Sequence, residues 1–450
     1  VIAFLFAFAL ALAAEPSLDD VLTSVDRHFP LLIAAEAKAE LALGEQMQAA
    51  GGFDPLVNAK GWWKQGEYDQ TYFDAGITQA TPLWGASVRG GWRMGLGSFA
   101  VYDGWYDTLD RGELYAELNL PLLKGGFTDE LRTEIQATRS EVAAAQARID
   151  LSRIRYAFQA RSAWYSWLAA GEKLRVADEQ LSRAKLAVDA ARKRVDAGDL
   201  APLGLVDARR VLTERAASQQ SADLKLRQAA MKLGLYLRDG SGQPIVLTGA
   251  PPRLPAPDGE PVEVTPELID RARTHRPDVL ALQATTRAEE ARLKLARVSV
   301  LPKLDFQLEF AGDVAAEDES AKPVDIKVGG KLEVPLALRT GRGKLQSSRA
   351  KVDTLRAEQQ YLLDQVSVEV NNTVMALDVA LERAVLAEEN EDLARQLEDA
   401  ARIRYQLGDD DLFALYLREQ STFSAASRRI DAWLDWHLAS AALLAATGDR

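Results

Sequence analysis

Between Phe127 and Ala197 the chain has no proline and one glycine, Gly171. Its apolar residues there return every seven positions: Ile135, Val142, Ile149 and Tyr156, then Leu174, Leu181, Val188 and Val195. Three residues after Leu174, Leu181 and Val188 stand Ala177, Ala184 and Ala191. This is an a/d heptad seam with alanine at d, which lets a neighbouring helix approach closely. At about 1.5 Å per residue the stretch would be roughly 105 Å long as a helix. An ordinary globular helix has three to four turns. Such a rod requires a coiled-coil partner or a long assembly built around it.

The totals narrow the surroundings of the rod. The chain has 450 residues, 47% hydrophobic, with a formal net charge of −12. That charge argues against nucleic acid as the main partner. Cysteine is absent, which removes disulfides, thiolate metal sites, a cysteine nucleophile and a lipidated cysteine. Residues 1–14 are almost wholly Phe, Leu and Ala and end in Ala11-Leu12-Ala13, the small-x-small form of an export-signal cleavage site. No other run approaches the ~18–20 apolar residues of a membrane helix, so a bilayer crossing would have to be a β-barrel.

Proline spacing exposes a duplication. Ser17 and Asp20 form a capping box ahead of a helical pattern that runs to about Ala50, with Pro30 inside and Pro55 beyond its end. Thr265 opens a similar pattern, with Pro277 inside and Pro302 at its end. Pro30 to Pro55 and Pro277 to Pro302 are both 25 residues, and the pairs are offset by 247. Equal spacing of rare punctuators is a repeat signal.

Each copy continues into alternating segments. Lys303–Phe310 and Asp325–Val334 place apolar residues on one face and charged or polar residues on the other. Their lengths approach the ~9–11 residues of an outer-membrane strand. In the first copy the corresponding region is enlarged: Pro55 to Pro121 is 66 residues, against 33 for Pro302 to Pro335. It holds further alternating pieces near Tyr72–Ala80 and Ala86–Leu96 and a terminal strand at Glu113–Leu120. Five of the nine tryptophans lie here, Trp62, Trp63, Trp84, Trp92 and Trp105, and would suit an interfacial aromatic girdle.

A second proline-free rod follows the second hairpin, over 343–407. The rods end alike, in Arg194-Val-Asp-Ala-Gly198-Asp199 and Arg404-Tyr-Gln-Leu-Gly408-Asp409. Glycine supplies the backbone freedom for reversal, and Asp199 or Asp409 would cap the returning helix. Between the copies, Arg238–Pro266 carries seven of the 17 prolines and reads as a linker. The expected plan is therefore an export signal at 1–14 and a first repeat at 15–237, with a β region at 56–121, a long helix at 127–197 and a return helix at 200–237. A linker at 238–264 leads to a second repeat at 265–450, with a hairpin at 303–335, a long helix at 343–407 and a return helix at 409–447.

In this order and duplication the chain resembles the outer-membrane efflux protein family, of which TolC is the type. The resemblance rests on the His-x-Pro pairs at His28 and His275, the Leu120-Pro121-Leu122 and Val334-Pro335-Leu336 strand ends, the two Arg-x-x-x-Gly turns, and Asp207-Ala208-Arg209. It implies a mainly α fold with a membrane β-barrel, assembled as a homotrimer. Each copy would give four strands to a 12-stranded barrel in outer-membrane lipid and four helical strands to a periplasmic α-barrel. The linker would form a belt. It implies partners as well: a periplasmic adaptor (membrane fusion) protein and an inner-membrane transporter of RND, ABC or MFS type. The role would be that of a passive exit duct for a tripartite efflux pump or type I secretion system. The turns, with Gly198, Asp199, Leu200, Gly408 and Asp409, would be the adaptor-docking tip, opened by an iris-like shift of paired helices.

Gate candidates are Asp409, Asp410, Asp411, Tyr405, Arg404, Arg194 and Asp207. Threefold symmetry would gather the Asp409–Asp411 carboxylates, whose like charges raise one another's pKa and attract cations. A cap exposed to solvent is the plainer reading of the same run. The family's gate often carries Asp further along the return helix; Ala414 and Leu417 stand there in this chain. Catalytic machinery is not expected. His28, His275 and His437 are far apart in sequence. Gly341-Arg-Gly343-Lys344 lacks the earlier glycine and the following Ser or Thr of a phosphate loop, so no cofactor and no metal are expected. A periplasmic coiled-coil adaptor or scaffold with a soluble β domain is the alternative reading of the heptads.

Overall fold

The computed structural model describes residues 16–100, 107–314, 324–407, 409 and 411–449. They fall into two units, one of 16–36, 148–279 and 362–449, the other of 37–147 and 280–361. Helices α1 (Leu18–His28) and α2 (Pro30–Ala50) precede strands β1 (Leu56–Lys64), β2 (Gln70–Ala80), β3 (Ser87–Gly97) and β4 (Glu113–Pro121). The long helix α3 (Glu130–Asp196) and its return α4 (Pro202–Gly234) follow. The second repeat comprises α5 (Pro266–His275), α6 (Pro277–Val298), β5 (Lys303–Asp313), β6 (Asp325–Glu333), α7 (Arg339–Leu407) and α8 (Leu412–Thr447).

The duplication is present in backbone detail. Ser17 and Asp20 close the expected capping box, and the Thr265 side chain accepts from the Leu268 amide at 3.2 Å. The expected single helix from Ser17 to Ala50 is two helices, because the residue before a proline is driven out of the α region. Phe29 takes ψ 119° before Pro30, and Arg276 takes ψ 133° before Pro277.

The helical unit is held largely by alanine. Ala177, Ala184 and Ala191 of the seam are buried along with Val188, while Leu174, Leu181 and Val195 are half-buried. A separate apolar cluster joins α5, α6, α7 and α8 through Ala272, Val279, Val366, Val370 and Ala446. The linker between α4 and α5 contains no helix and only the bridge Arg238–Pro244. It is nevertheless anchored. A Cβ on Gly171 would lie 2.0 Å from Pro251 Cγ, which accounts for the one glycine of the rod. Arg175 Nη1 donates to the Pro251 carbonyl at 3.0 Å, and the Val262 amide donates to Asp378 Oδ1 at 3.2 Å. His437 meets the Pro255 carbonyl through Nε2 at 3.0 Å and stacks on Tyr165 at 4.1 Å.

In the other unit the strands form one antiparallel sheet in chain order, β1 to β6. The resemblance implied four strands per copy, and the described residues form six. The longer interval between Pro55 and Pro121 holds four strands of 9 to 11 residues, where the second repeat holds two. The register sorts side chains by face. Leu304, Phe306, Leu308 and Phe310 stand opposite Leu332, Gly330, Val328 and Ile326, while Asp305 and Glu309 stand opposite Lys331 and Lys327. Phe310, Ile326, Val328, Leu332, Leu114, Ile77, Val57 and Trp63 are exposed. One face of the sheet is therefore apolar and open.

Candidate functional site: the helix turns and a buried charge network

Gly198 ends the α3 segment with φ +82°, a conformation that glycine adopts without Cβ strain. The Asp199 amide donates to the Arg194 carbonyl at 2.8 Å, and the Asp409 amide to the Arg404 carbonyl at 2.9 Å, so the two turns are alike in their hydrogen bonds. The expected caps are corrected. Ala201 is the N-cap of α4, with no side-chain bond and Pro202 at the first position. At α8 the cap is Asp411, whose Oδ1 accepts from the Ala414 amide at 2.7 Å. Asp199 and Asp409 each stand too far before the helix start for a capping side chain, which bonds two or three residues onward. Gly408 and Asp410 lie outside the described residues, so the Asp409–Asp411 run is described only through its two outer members.

Among the remaining candidates, Arg194 Nη1 donates to the Tyr405 hydroxyl, and its guanidinium lies 5.5 Å from the ring centroid. Asp207 pairs along its own helix with Arg210 at 3.4 Å. Arg404 is exposed in the last turn of α7. Leu200 is turned inward and packs, with Leu205 and Leu212, against Val188, Ala191 and Ala208. The apolar side chains left open near the turns are instead Leu203, Val206, Leu407, Phe413 and Leu417. Each sits within ten residues of a turn, on the solvent side of the helical stripe.

Of the sheet tryptophans, Trp63 is on the apolar face and 71% exposed. Trp62 shares the face of Lys60 and stacks on Tyr72 at 4.1 Å. Trp92 donates from Nε1 to the Arg111 carbonyl at 2.8 Å, and Trp84 packs on Phe127 at 4.3 Å at the opposite end of the sheet. Trp105 lies outside the described residues.

Sequence reasoning missed a charge network between α3, α4, α7 and α8. Glu391 and Glu398 are buried on the heptad stripe of Ala384, Ala394 and Ala401. Arg395 and Arg429 donate to Glu391, and Arg183 and Arg402 each donate to Glu398 at 2.5 Å. A cavity of about 490 Å³ opens beside them, lined also by Arg215, Tyr416 and Glu419. Burial and the neighbouring Glu398 push the Glu419 carboxyl above its usual range, against the opposing pull of Arg402, Arg183 and Arg215. Burial and Glu419 raise the Tyr416 hydroxyl to about 12. At the linker end of the cavity, burial disfavours the Glu172 carboxylate, yet Arg175, Arg253 and the Leu254 amide hold it below its usual range. The available signal was glutamate at two successive heptad core positions. Among the described residues, no group of three or more His, Cys, Asp or Glu is placed to hold a metal ion.

Comparison with known proteins agrees with this architecture. The profile of the family described as outer membrane efflux protein matches residues 96–239 and 268–449. The chain is 24% identical over 321 residues to the cobalt-zinc-cadmium resistance protein CzcC of Cupriavidus metallidurans, covering 70% of this chain and 72% of that protein. The structure resembles that of CusC, at a TM-score of 0.70 and 15% identity, over 97% of this chain and 93% of the other. It also resembles the CmeC outer membrane channel of Campylobacter jejuni, at 0.68 and 14%, over 96% and 85%. The chain belongs to the outer membrane efflux protein family.

Proposed function

We propose that this outer-membrane efflux channel works as a passive trimeric duct, its sheet set in the outer membrane and its helical turns in the periplasm. One observation carries the reading: a continuous sheet with an exposed apolar face and a charged opposite face. An open apolar surface of this kind marks a membrane or protein contact. Among the described residues no helix is long and apolar enough to cross a bilayer. The alternating faces fit a barrel wall between lipid and a watery lumen.

The turns are the proposed docking tip for a periplasmic adaptor. Leu203, Val206, Phe413 and Leu417 offer apolar anchors. Arg194, Tyr405, Asp207 and the Asp409–Asp411 run form the proposed gate. Energy comes from an inner-membrane transporter, and that partner selects the cargo. Relatives carry names for cobalt-zinc-cadmium resistance and for pyoverdine export, which is consistent with a shared conduit for different cargoes.

Fractionation tests the reading. The protein should remain with membranes through high salt and alkaline washes and be released by detergent. Release by salt alone would favour a periplasmic scaffold. A charge on the apolar face, Val328→Arg, should reduce membrane insertion, because a lipid-facing Arg costs about 2–4 kcal/mol at the bilayer midplane.

A further inference from the structure

We propose that β1 of one copy pairs with β6 of the next, so that three copies close an eighteen-stranded barrel in place of the family's twelve. The inference rests on the trimeric membrane reading above and adds the first hairpin to the wall.

The two edges are built for this contact. Among the described residues β1 is paired only with β2, and β6 only with β5. Both have nine residues; β1 is exposed throughout and β6 at all but one position. In hydrocarbon an open edge leaves backbone N–H and C=O groups without partners or water, so membrane sheets close. Six strands joined by antiparallel pairings leave β1 and β6 running in opposite directions. A second copy therefore continues the ladder without breaking the pattern. The faces agree as well. Val57 and Trp63 of β1 and Ile326, Val328 and Leu332 of β6 lie on the apolar face, while Lys60, Lys64, Asp325, Lys327 and Lys331 lie on the other. Lys64 and Asp325 bring opposite charges to the same end of the sheet, the end of the β1–β2 and β5–β6 connections.

The first hairpin is locked into the sheet, so it belongs to the wall. Asp74 of β2 is 3% exposed. It receives Arg89 of β3 at 2.9 Å and the Tyr115 hydroxyl of β4 at 2.8 Å, with Lys60 of β1 at 3.6 Å. One carboxylate thus ties four strands together. Strands β1 and β2, together with most of β3, precede the family-matched residues, which begin at 96. Without β1 and β2 each copy would contribute four strands.

Closing eighteen strands spaced ~4.8 Å apart at a tilt of ~40° gives a backbone diameter of roughly 36 Å, against roughly 24 Å for twelve. Eighteen-stranded porins of this width keep a water-filled channel. The added hairpin would make the exit about 1.5 times wider.

The cysteine-free chain allows a direct test. Full-length protein in its native membrane would carry one cysteine on β1 (Asn58→Cys, Lys60→Cys or Lys64→Cys) and one on β6 (Lys327→Cys or Lys331→Cys). A parallel set would replace the β1 position by Arg89→Cys of β3. After oxidation, a β1–β6 combination should give a non-reducing ladder that stops at three copies, and the β3–β6 set should not. Cross-linking through β3 and not β1 would overturn the proposal while leaving the trimer intact. A single-copy mass in detergent, with no ladder from either set, would remove the trimeric reading and this proposal with it. Where a cysteine pair impairs insertion, averaged electron-microscopy projections of the unmodified protein decide between the two diameters.

Discussion

Arg194 in the last turn of α3 donates from Nη1 to the hydroxyl of Tyr405 in the last turn of α7, with its guanidinium 5.5 Å from the centre of the ring. The two residues lie 211 positions apart and one turn from the reversals of the two long helices. The contact therefore joins the ends of the two repeats. Tyr405→Phe removes the acceptor and keeps the ring. It should cost about 0.5–1.5 kcal/mol at the turns, and raise leak conductance in planar bilayers if this contact holds the proposed gate closed. Arg194→Leu, which also removes the charge, should leak more. Identical closed-state records for both variants would separate the pair from gating.

Gly171 makes a different kind of contact. A methyl at its Cβ would sit 2.0 Å from Pro251 Cγ, and the Pro251 carbonyl is held to the same helix by Arg175 Nη1 at 3.0 Å. Gly171→Ala should displace the linker and destabilise the unit by about 1–3 kcal/mol, the range of an overpacked core. The checks are a lower midpoint in denaturant and faster proteolysis within 238–264. Loss of the Arg175–Pro251 bond alone should be milder.

Glu391 is 2% exposed and accepts from both Arg395 and Arg429. Glu391→Ala leaves both guanidinium groups without that partner. Arg429 is largely buried whereas Arg395 reaches solvent. The loss should therefore fall at about 1–3 kcal/mol, below that of a fully buried pair. Restoring an apolar stripe with the double change Glu391→Leu and Arg429→Leu should recover much of the stability. Equal destabilisation by single and double variants would show that the network is held by packing alone.

His437 carries a prediction about pH. Burial holds its imidazole below the usual value of 6.5, while the Pro255 carbonyl pulls the other way. A depressed folded-state value means that the unfolded chain binds the proton first. The stabilisation is complete above pH 6.5 and is lost as the pH falls from there through the depressed value. His437→Gln should flatten the thermal midpoint across that window. An unchanged slope would mean that another group governs the acid limb. Glu419 acts in the opposite sense, since its raised value makes its contribution complete at low pH and lost as pH rises through it.

The sheet-spanning carboxylate gives a last test. Asp74→Asn removes the charge shared by Arg89 and Lys60 while keeping an acceptor for Tyr115. It should loosen the first hairpin selectively. Cysteines on β1 should become more reactive to a water-soluble maleimide, with those on β5 unchanged.

Local physics accounts for what was legible in the sequence. Heptad alanines, strict alternation, the Ser17–Asp20 box and the Gly198 reversal each depend on neighbours a few residues away, so they can be read along the chain. The 247-residue offset between proline pairs then disclosed the duplication, and with it the family. Local pattern alone does not show the breaks at Phe29 and Arg276, where Pro30 and Pro277 open new helices, nor that Ala201 and Asp411, and not Asp199 and Asp409, occupy the capping positions. Tertiary structure decided the rest. Whether β1 and β2 join β3–β6 depends on hydrogen bonds and on the ions gathered at Asp74, from four strands. Glu391 and Glu398 read as surface charges until α3 and α8 supply the arginines that let a carboxylate be buried. Gly171 was visible as a lone glycine, but its reason, Pro251 eighty residues onward, exists only once the linker lies against the helix.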